Sequence, residues 1–476
     1  MSKTLDQLQL KYGPRYRWWV LFTVLLGMIA AVISSTIVNV GVPDMSRSFE
    51  LGQERAQWIA TGFMAPMTLA LSLTPALLQR FGLRKTYAGA LLVLLTGGII
   101  GGVSPTYELM IMGRVLEGIA AGVLQPIPSI VILRAFQPHE QGKAMGLFGF
   151  GLVLAPAIGP SVGGLLVEAF GWRSMFFFVV PFCIAALIAT NRFLPWHSSF
   201  IEAPQRFDWP GLLLLSLSTL LLLNGLVDLQ HPDGIGRALL LLGVGVAGLA
   251  AFTVYQLRRT HPLLRVGLFR HRQFAAGALV SFVYGMGLYG STYLLPIYLQ
   301  MALGYSPSAA GLVLLPAGLA LAITMPIAGR LTDRMVPAHL VIAGLAAFSL
   351  SLAMLGGVGL GTAYAVLLAW TIVGRIGLGL TMPGLQIGTT RGLPPTDISH
   401  GTSLNLFCRQ LGGALGISLV GIVLESRIQA LGLAANATGA ATLPAFRITF
   451  WILAGICAFS VVAALRMRPQ QSSTGR

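Results

Sequence analysis

Fourteen long apolar stretches divide this chain of 476 residues, and they constrain its fold more than any other feature. Each is roughly 18–27 residues long, which is enough for an α-helix to cross a hydrocarbon layer about 30 Å thick. Charged residues make up only 10% of the sequence, whereas about 25% is typical of soluble domains. We therefore predict an all-α polytopic membrane protein with 14 transmembrane helices. The predicted spans are 18–42, 56–78, 84–103, 107–131, 142–168, 174–195, 209–229, 236–257, 273–299, 306–330, 338–357, 362–388, 402–424 and 445–466.

The positive charge of the chain follows the loops between these spans. With the N-terminus taken as cytoplasmic, 23 of the 31 Lys and Arg residues fall in cytoplasmic segments and 6 in external ones, and Arg114 and Arg375 lie within spans. This asymmetry is the positive-inside pattern, so we predict a multi-pass protein of the inner (cytoplasmic) membrane with both termini in the cytoplasm. The net charge of +16 is thereby explained without a nucleic-acid partner.

Sequence patterns that would indicate a bound cofactor or metal do not lie in the structural context that such sites need. The glycines at 243, 245 and 248 spell a dinucleotide-binding fingerprint, but they lie inside an apolar span with no preceding strand. The three cysteines, Cys183, Cys408 and Cys457, have no metal-ligand spacing. We therefore predict no metal, no cofactor and no enzymatic activity.

An internal repeat divides the chain. Arg80 and Arg334 lie in similar basic loops 254 positions apart, and Arg114 and Arg375 lie in similar Gly-Arg segments 261 positions apart. Spans 1–6 and 9–14 are thus predicted to form two pseudo-symmetric six-helix bundles in the same orientation, as in transporters built from parallel repeats. The predicted domains are residues 1–198 (N-terminal bundle), 199–262 (two inserted helices) and 263–476 (C-terminal bundle and a short cytoplasmic tail).

An ordered set of motifs resembles the major facilitator superfamily, and within it the fourteen-helix drug–proton antiporter branch. The segment ISSTIVNVGVP at 33–43 is similar to the opening signature of that branch, and the loop at 75–85 matches the basic interior loop of the superfamily. The segments GRVLEG in span 4 and GLVLAPAIGPSVGG in span 5 follow in the expected order. The resemblance covers nearly the whole chain and implies two bundles about a central cavity.

The resemblance assigns gating or structural roles to residues of the interior loops and of span 5. Basic loops can bond the C-terminal carbonyls and acidic groups of neighbouring helices and latch the cytoplasmic side closed; the alternative is that they only set topology. The first copy has Gln79 where the family has an acid, so we expect a weaker latch there than at Asp333. The full set is Arg80, Gly82, Arg84, Lys85, Gly151, Pro156, Gly159, Pro160, Gly163, Gly164, Gly329, Asp333 and Arg334.

Span 5 combines a strip of small residues with two prolines. Small residues let helices approach closely in lipid, and Pro156 and Pro160 remove backbone donors and bend the helix. We predict a tight, bent hinge against the opposite half, centred on Gly159 and Pro160. Plain helix packing is the alternative.

Arg114 and Glu117 form the charged pair on which the predicted mechanism depends. They are three residues apart, so they share a helix face, and Glu117 is the only carboxylate near the middle of an apolar stretch. A charged side chain at mid-membrane costs about 2.5–3.5 kcal/mol and usually faces a wet interior. Burial favours the neutral acid and a nearby cation favours the carboxylate, so a transport cycle can switch Glu117 between them. A static buried ion pair is the alternative.

Span 1 departs from the branch that it resembles. The branch often has an Asp just before its T-I-V-N run, and Ser34, which cannot titrate, holds that place here. Glu117 then either takes over the proton-carrying role from span 4, with Arg114 as its gate, or proton coupling is altered or absent.

Neutral polar and aromatic side chains supply most of the predicted substrate-binding set. Tyrosine faces suit flat, lipophilic compounds, including cations. Packing is the alternative role of the tyrosines, and hydrogen bonding between helices is the alternative for the small polar residues. The set is Ser34, Thr36, Asn39, Tyr284, Tyr289, Tyr293, Gln300 and Arg375.

These observations predict a secondary active exporter of lipophilic, preferably cationic, drugs by proton antiport with alternating access. Its expected partners are the lipid bilayer, small lipophilic substrates and protons, with a periplasmic adaptor protein as a further candidate. Two alternatives stay open. One is an exporter of a specific metabolite, siderophore or lipid with altered or absent proton coupling, and the other is a transport-inactive membrane sensor or scaffold.

Overall fold

Helices account for nearly all of the described chain. The computed structural model describes residues 12–50, 53–195, 208–229, 234–260, 262–433 and 439–467, and the side chains of Asn39, Pro156 and Pro160 lie outside this description. Within those ranges it contains no β-strand. The α-helices are α1 (Tyr16–Ile37), α2 (Val42–Ser48), α3 (Gln53–Ala70), α4 (Thr74–Val103), α5 (Tyr107–Leu124), α6 (Ile127–Ala135), α7 (Gln141–Phe170), α8 (Arg173–Phe193), α9 (Trp209–Asp228), α10 (Ile235–Leu257), α11 (Arg272–Ile297), α12 (Pro307–Arg334), α13 (Pro337–Gly356), α14 (Tyr364–Thr390), α15 (Ile398–Ala430) and α16 (Leu443–Leu465).

Helices lie at all the predicted span positions. Twelve described segments are long and apolar enough to cross a membrane, and one of them, Trp58–Val103, contains predicted spans 2 and 3. The fifth predicted span coincides with α7, which is 30 residues long. The predicted fold class, an all-α polytopic membrane protein, is confirmed.

The loop predicted between spans 2 and 3 is a tight turn at Gly82, where the two helices that together make up α4 meet, and Thr86 Oγ1 donates back across this turn to Leu77 O at 2.9 Å. Span 2 begins as α3, passes through a 3-10 turn at Leu71–Leu73 and ends within α4. The helix is interrupted at Gly82, which has φ 72° and ψ 171°. Residues with a Cβ rarely adopt this conformation because of steric clash, so the turn needs glycine at this position.

The same helix pairs meet in both halves of the molecule. In the N-terminal half α1 packs on α5, α7 and α8, α5 packs on α3 and α4, and α4 packs on α8. In the C-terminal half α11 packs on α14, α15 and α16, α14 packs on α12 and α13, and α13 packs on α16. Each pair recurs at the same place in the six-helix order, as expected for a parallel repeat. The domain boundaries at residues 198 and 262 stay a prediction.

The inserted helices α9 and α10 pack mainly on each other, outside the two bundles. Asp208 ties their ends together because its carboxylate accepts hydrogen bonds from Gly211 N (3.0 Å), the Tyr255 hydroxyl (3.0 Å) and Gln256 Nε2 (2.7 Å). A small apolar cluster that includes Leu215, Phe252, Leu264, Phe274 and Phe407 joins the pair to α11 and α15. The inserted pair therefore contacts the C-terminal bundle through this cluster, and α9 also contacts α3 of the N-terminal half.

Helix α5, which carries Arg114 and Glu117, touches α4 backbone to backbone. A Cβ on Gly97 would lie 2.8 Å from Gly113 O and 2.9 Å from Glu117 N. Real Cβ atoms do not approach other atoms this closely, so only glycine fits at this contact. Lipid chains are as apolar as the side chains, so the hydrophobic effect does not drive helices together in a membrane. Close packing of this kind drives their association instead. The contact thus fixes the position of Glu117.

We expect Gly97→Ala to destabilise the protein, whereas Gly89→Ala on the same helix should leave it unchanged or slightly more stable. A Cβ at 97 must push α5 away, at a cost on the order of 1–3 kcal/mol. At Gly89 nothing lies within 4 Å, and alanine is the better helix former. Thermal unfolding of the two purified variants in detergent measures the difference. Equal unfolding temperatures would contradict the packing described above.

Candidate functional site

The Arg114–Glu117 pair lies inside the N-terminal bundle. Arg114 Nη1 is 2.9 Å from Glu117 Oε2, and both side chains are 0% exposed. Arg114 also donates from Nε to Ile59 O and from Nη1 to Ser34 O, each at 3.1 Å. Its guanidinium lies 4.5 Å from the centroid of the Phe63 ring. The cation is therefore held by backbone carbonyls and an aromatic face as well as by the carboxylate.

Glu117 lies at the meeting point of four helices. Its carboxylate faces Ser34 on α1, Gly98 on α4 and Cys183 on α8. The Ser34 contact is not a hydrogen bond of normal geometry, so Glu117 Oε1 and Ser34 Oγ both lack a hydrogen-bond partner among the described residues. The sequence predicts that Glu117 takes over the role of the acid that is missing at position 34. In the structure Glu117 and Ser34 are neighbours.

The expectation that this pair faces a wet interior is not met in the conformation described. Neither side chain has any exposed surface. The physical reason is the glycine contact between α4 and α5, which brings the α4 backbone directly against Glu117. Exchange of a proton at this carboxylate thus requires a change in the packing of the N-terminal bundle.

The two halves of the molecule meet on the side of the basic loops, where the end of α12 contacts the start of α7. The Asp333 carboxylate accepts hydrogen bonds from Gly142 N at 2.5 Å and from Lys143 N at 2.7 Å. The first N–H groups of a helix have no acceptor within the helix, and the helix dipole favours an anion there. Gly329 and Gly142 also touch, since a Cβ on either would overlap the carbonyl oxygen of the other. This contact is called the Asp333 latch below.

The other repeat supplies a neutral counterpart to the Asp333 latch. The amide nitrogen of Gln79 lies 3.0 Å from His400 Nε2 across the same boundary between the halves. Arg134 Nη2 donates to Ser399 Oγ nearby, at 3.1 Å. Neither contact pairs a carboxylate with backbone N–H groups, as the Asp333 latch does. These contacts therefore agree with the expectation of a weaker latch at Gln79 than at Asp333.

The remaining loop residues do not bridge the halves in the contacts that the structure describes. Arg84 binds Leu194 O at 3.2 Å and Asn191 Oδ1 at 2.8 Å, so it caps the end of α8 within its own half. Arg80 is exposed, 5.5 Å from the ring centroid of its neighbour Phe81. Lys85 and Arg334 are exposed as well.

The glycines of span 5 pack against α1 and not against the opposite half, which corrects the predicted hinge. A Cβ on Gly159 would meet Thr36 Oγ1 at 2.5 Å, and one on Gly163 would meet Ile37 Cγ1 at 2.9 Å. Contact with the opposite half is made nearer the start of α7, by Gly142, Gly146 and Gly149. Hydropathy periodicity defines a small-residue face, but it does not say which neighbour that face meets.

Two other glycines of span 5 make looser contacts, and the predicted bend is not visible as a break. A Cβ on Gly151 would be in ordinary contact with Ile29 at 3.5 Å, and nothing lies within 4 Å of one on Gly164. Helix α7 is continuous from Gln141 to Phe170. The side chains of Pro156 and Pro160 lie outside the described residues.

The predicted substrate-binding residues do not form a single group. Tyr284 is buried, and its hydroxyl donates to Leu378 O at 3.3 Å. The Tyr289 hydroxyl donates to Gln410 Oε1 at 3.3 Å, and Arg375 Nη1 donates to Thr292 Oγ1 at 3.2 Å. These residues lie together on α11, α14 and α15. Elsewhere, Ser34 and Thr36 pack within the N-terminal bundle, Tyr293 and Gln300 are exposed, and the side chain of Asn39 is outside the described residues.

Sequence analysis missed a buried arginine in the C-terminal bundle. It counted Arg409 with the cytoplasmic loop after span 12, although the residue falls inside the predicted span 402–424. The structure places Arg409 within α15, where it is 7% exposed. Close to it along α15 and α14, Asn405 Nδ2 donates to Gln386 Oε1 at 3.1 Å. The signal was available, because a charge inside an apolar span singled out Arg114 by the same argument.

A bundle of membrane-crossing helices with an internal parallel repeat and latched ends defines a multi-pass membrane transporter, and comparison with known proteins agrees. The family model of the Major Facilitator Superfamily matches residues 24–417. The chain belongs to this superfamily.

Several relatives within the superfamily are named for resistance to drugs. The chain is 31% identical over 425 residues to a multidrug resistance protein B homolog of Mycobacterium tuberculosis, covering 88% of this chain and 78% of that protein. It is 29% identical over 405 residues to the lincomycin resistance protein LmrB of Listeria innocua, covering 84% and 85%. These matches agree with the drug–proton antiporter branch that the motifs indicated, and the protein is a transporter and not an enzyme.

Solved structures support the fold. The proton:xylose symporter XylE matches with a TM-score of 0.63 over 95% of each chain at 16% identity. At this identity the match concerns the fold alone.

We expect Asp333→Asn to speed hydrogen–deuterium exchange of the Gly142 and Lys143 amides roughly tenfold or more, since a hydrogen bond to a carboxylate is about twice as strong as a neutral one. The matched control is Asp44→Asn, because the described ion pair of Asp44 is a local one, with Arg47 at 2.5 Å. Exchange is followed by mass spectrometry of the peptide that covers the start of α7. Equal exchange in both variants would mean that Asp333 does not hold the two halves together.

Proposed function

We propose that this protein exports lipophilic compounds by proton antiport with alternating access, with Glu117 as the proton carrier and Arg114 as the group that controls it. The observation that carries the proposal is the buried Arg114–Glu117 pair beside Ser34. Relatives that are named for multidrug and lincomycin resistance support export of drug-like compounds.

The surroundings of Arg114 suit a carboxylate that gains and loses a proton. When Glu117 is neutral, the guanidinium still has the carbonyl oxygens of Ile59 and Ser34 and the face of Phe63. A buried cation that loses its only partner is strongly destabilising, by about 3–5 kcal/mol, but here other acceptors remain. Protonation of Glu117 can therefore occur without collapse of the site, because Arg114 stays bonded to α1 and α3.

The latches supply the second half of the proposed cycle. The halves touch through the start of α7 and the end of α12 on the side of the basic loops, which the positive-inside pattern assigns to the cytoplasm. Opening of this contact would expose the space between the bundles to the cytoplasm. We propose that the protein lies in the inner membrane with both termini cytoplasmic, and that a periplasmic adaptor is a candidate partner.

We expect Glu117→Gln to abolish flux driven by a pH gradient while substrate binding is retained. Glutamine keeps the size of the side chain and an oxygen that accepts from Arg114, but it cannot carry a proton. The assay uses proteoliposomes with an imposed pH gradient and two dyes of opposite charge, rhodamine 123 and carboxyfluorescein. The matched control is Glu108→Gln, an exposed acid in the first turn of the same helix.

The outcomes of this assay separate the proposal from its alternatives. Unchanged gradient-driven flux in Glu117→Gln would remove this residue from the mechanism. Flux that ignores the gradient in the native protein would favour an exporter without proton coupling, which Ser34 suggested. No flux of any compound would favour a sensor or scaffold.

We expect Gly329→Ala to lower the transport rate without loss of folded protein, because the added Cβ overlaps Gly142 O and keeps the latch from closing. Gly318→Ala on the same helix is the control, since nothing lies within 4 Å of that position. Cytoplasmic-side labelling of Met325→Cys, a buried position at the α7–α12 contact, reports opening. Equal labelling and flux in both variants would argue that this contact is not the gate.

A further inference from the structure

A band of incompletely hydrogen-bonded polar side chains lies in the C-terminal bundle. Buried polar groups in proteins are nearly always paired, because burial of an unpaired one is costly. In this band, atoms on three neighbouring helices make no hydrogen bond to any described residue. They are Ser281 Oγ on α11, Gln386 Nε2 on α14, and Thr402 Oγ1, Ser403 Oγ, Asn405 Oδ1 and Arg409 Nε on α15.

Two arginines of this bundle have no carboxylate partner among the described residues: Arg409, which is buried, and Arg375, which is half-buried. Both lie near Tyr284: its hydroxyl donates to Leu378 O, one turn along α14 from Arg375, and a Cβ on the neighbouring Gly285 would overlap Arg409 O. Arg375 donates only to the neutral Thr292 hydroxyl among its described contacts. Neither arginine takes part in an ion pair of the described chain. The described ion pairs are Arg17–Glu140, Arg47–Asp44, Arg114–Glu117, Arg237–Asp228 and Arg265–Asp397.

The carboxylates of the described C-terminal bundle are engaged near helix ends. Asp333 binds the start of α7, and Asp397 pairs with Arg265. Glu425 accepts from Gln429 one turn further along α15. Among the described residues, no carboxylate of this bundle therefore pairs with Arg409 or Arg375.

The internal repeat also shows, from the sequence, that the C-terminal half lacks an acid beside its arginine. Arg375 is the repeat partner of Arg114, but the place that corresponds to Glu117 is held by the apolar residue Leu378. The N-terminal half therefore carries its own anion and the C-terminal half does not. A cation buried without a partner is costly, and a guanidinium pairs best with a planar oxyanion, which it can bind through two parallel hydrogen bonds.

We infer that the substrate carries a carboxylate or a similar oxyanion, and that Arg409 and Arg375 bind it between α11, α14 and α15. The inference rests on the proposed export function and narrows its substrate class. It departs from the cationic preference expected from the tyrosines alone. The ring of Tyr289, held by Gln410, offers an aromatic face nearby for the lipophilic part of the compound. Gln386 and Asn405 supply amide groups with free hydrogen-bonding capacity.

Binding of three probes with one pyrene ring tests the inference: 1-pyrenebutyrate, 1-pyrenebutanol and the trimethylammonium analogue. Fluorescence titrations use the full-length protein in nanodiscs of phosphatidylcholine. We expect the native protein to prefer the carboxylate, and Arg409→Gln and Arg375→Gln to weaken its binding roughly 10- to 100-fold, as expected for the loss of a charge-assisted hydrogen bond. Binding of the alcohol should change little.

Two further variants control for folding and for general loss of positive charge. Arg409→Lys keeps the charge but not the paired N–H groups, so we expect intermediate affinity for the carboxylate. Arg427→Gln removes an exposed arginine of α15 and should bind all three probes as the native protein does. Stronger binding of the ammonium probe than of the carboxylate, or carboxylate affinity that is equal in native protein and Arg409→Gln, would overturn the inference.

The source of the anion and the transport function are tested separately. Titration in nanodiscs with phosphatidylglycerol shows whether an anionic lipid headgroup competes for the same arginines; competition that abolishes carboxylate binding would assign the site to lipid and overturn the substrate assignment. Because these measurements record binding, they stand even if gradient-driven flux fails. Loss of flux with intact, arginine-dependent carboxylate binding would refute the proposed proton antiport and not the anion site.

Discussion

A charge inside a hydrocarbon layer must be paired, and this constraint connects the main features of the protein. Arg114 is paired with Glu117 and also bonded to carbonyls of α1 and α3, so a single side chain joins three helices. The arrangement depends on the glycine contact between α4 and α5, since any side chain at Gly97 would displace Glu117. Packing and charge pairing therefore stabilise the same region, and neither can change without the other.

Most of the architecture follows from hydropathy and charge. Spans of membrane length and the repeat of Arg114 at Arg375 were enough to predict the helices and their arrangement in two bundles, whereas the orientation taken from the positive-inside bias stays a prediction. A turn was predicted between spans 2 and 3 and lies at Gly82, but its positive φ was not predicted, because hydropathy does not report backbone dihedral angles. Likewise, periodicity gave span 5 a small-residue face but assigned it to the wrong neighbour, since helix pairing depends on tertiary packing.

The candidate site was predictable where residues are close in sequence and not where they are distant. The spacing of three residues between Arg114 and Glu117 is a local property of a helix, and the pair forms as expected. The proximity of Ser34 to Glu117 was suggested only through the family resemblance. Arg409 was overlooked because it was grouped with a basic loop, although its place inside an apolar span deserved the argument applied to Arg114. Thus the same physical rule found one buried arginine and, applied unevenly, missed the other.

The two halves share a backbone plan but differ in what neutralises their central cations. Duplication explains the recurring helix pairs, whereas two departures from symmetry fall at candidate site positions: Glu117 against Leu378, and Asp333 against Gln79. Ser34, in place of an acid, is a departure from the family pattern. In the N-terminal half the counter-charge is a side chain that a proton can neutralise. In the C-terminal half no described carboxylate fills that place, and we infer that a bound oxyanion supplies the counter-charge there. A repeat with an anion in only one copy can thereby bind a proton in one half and an oxyanion in the other.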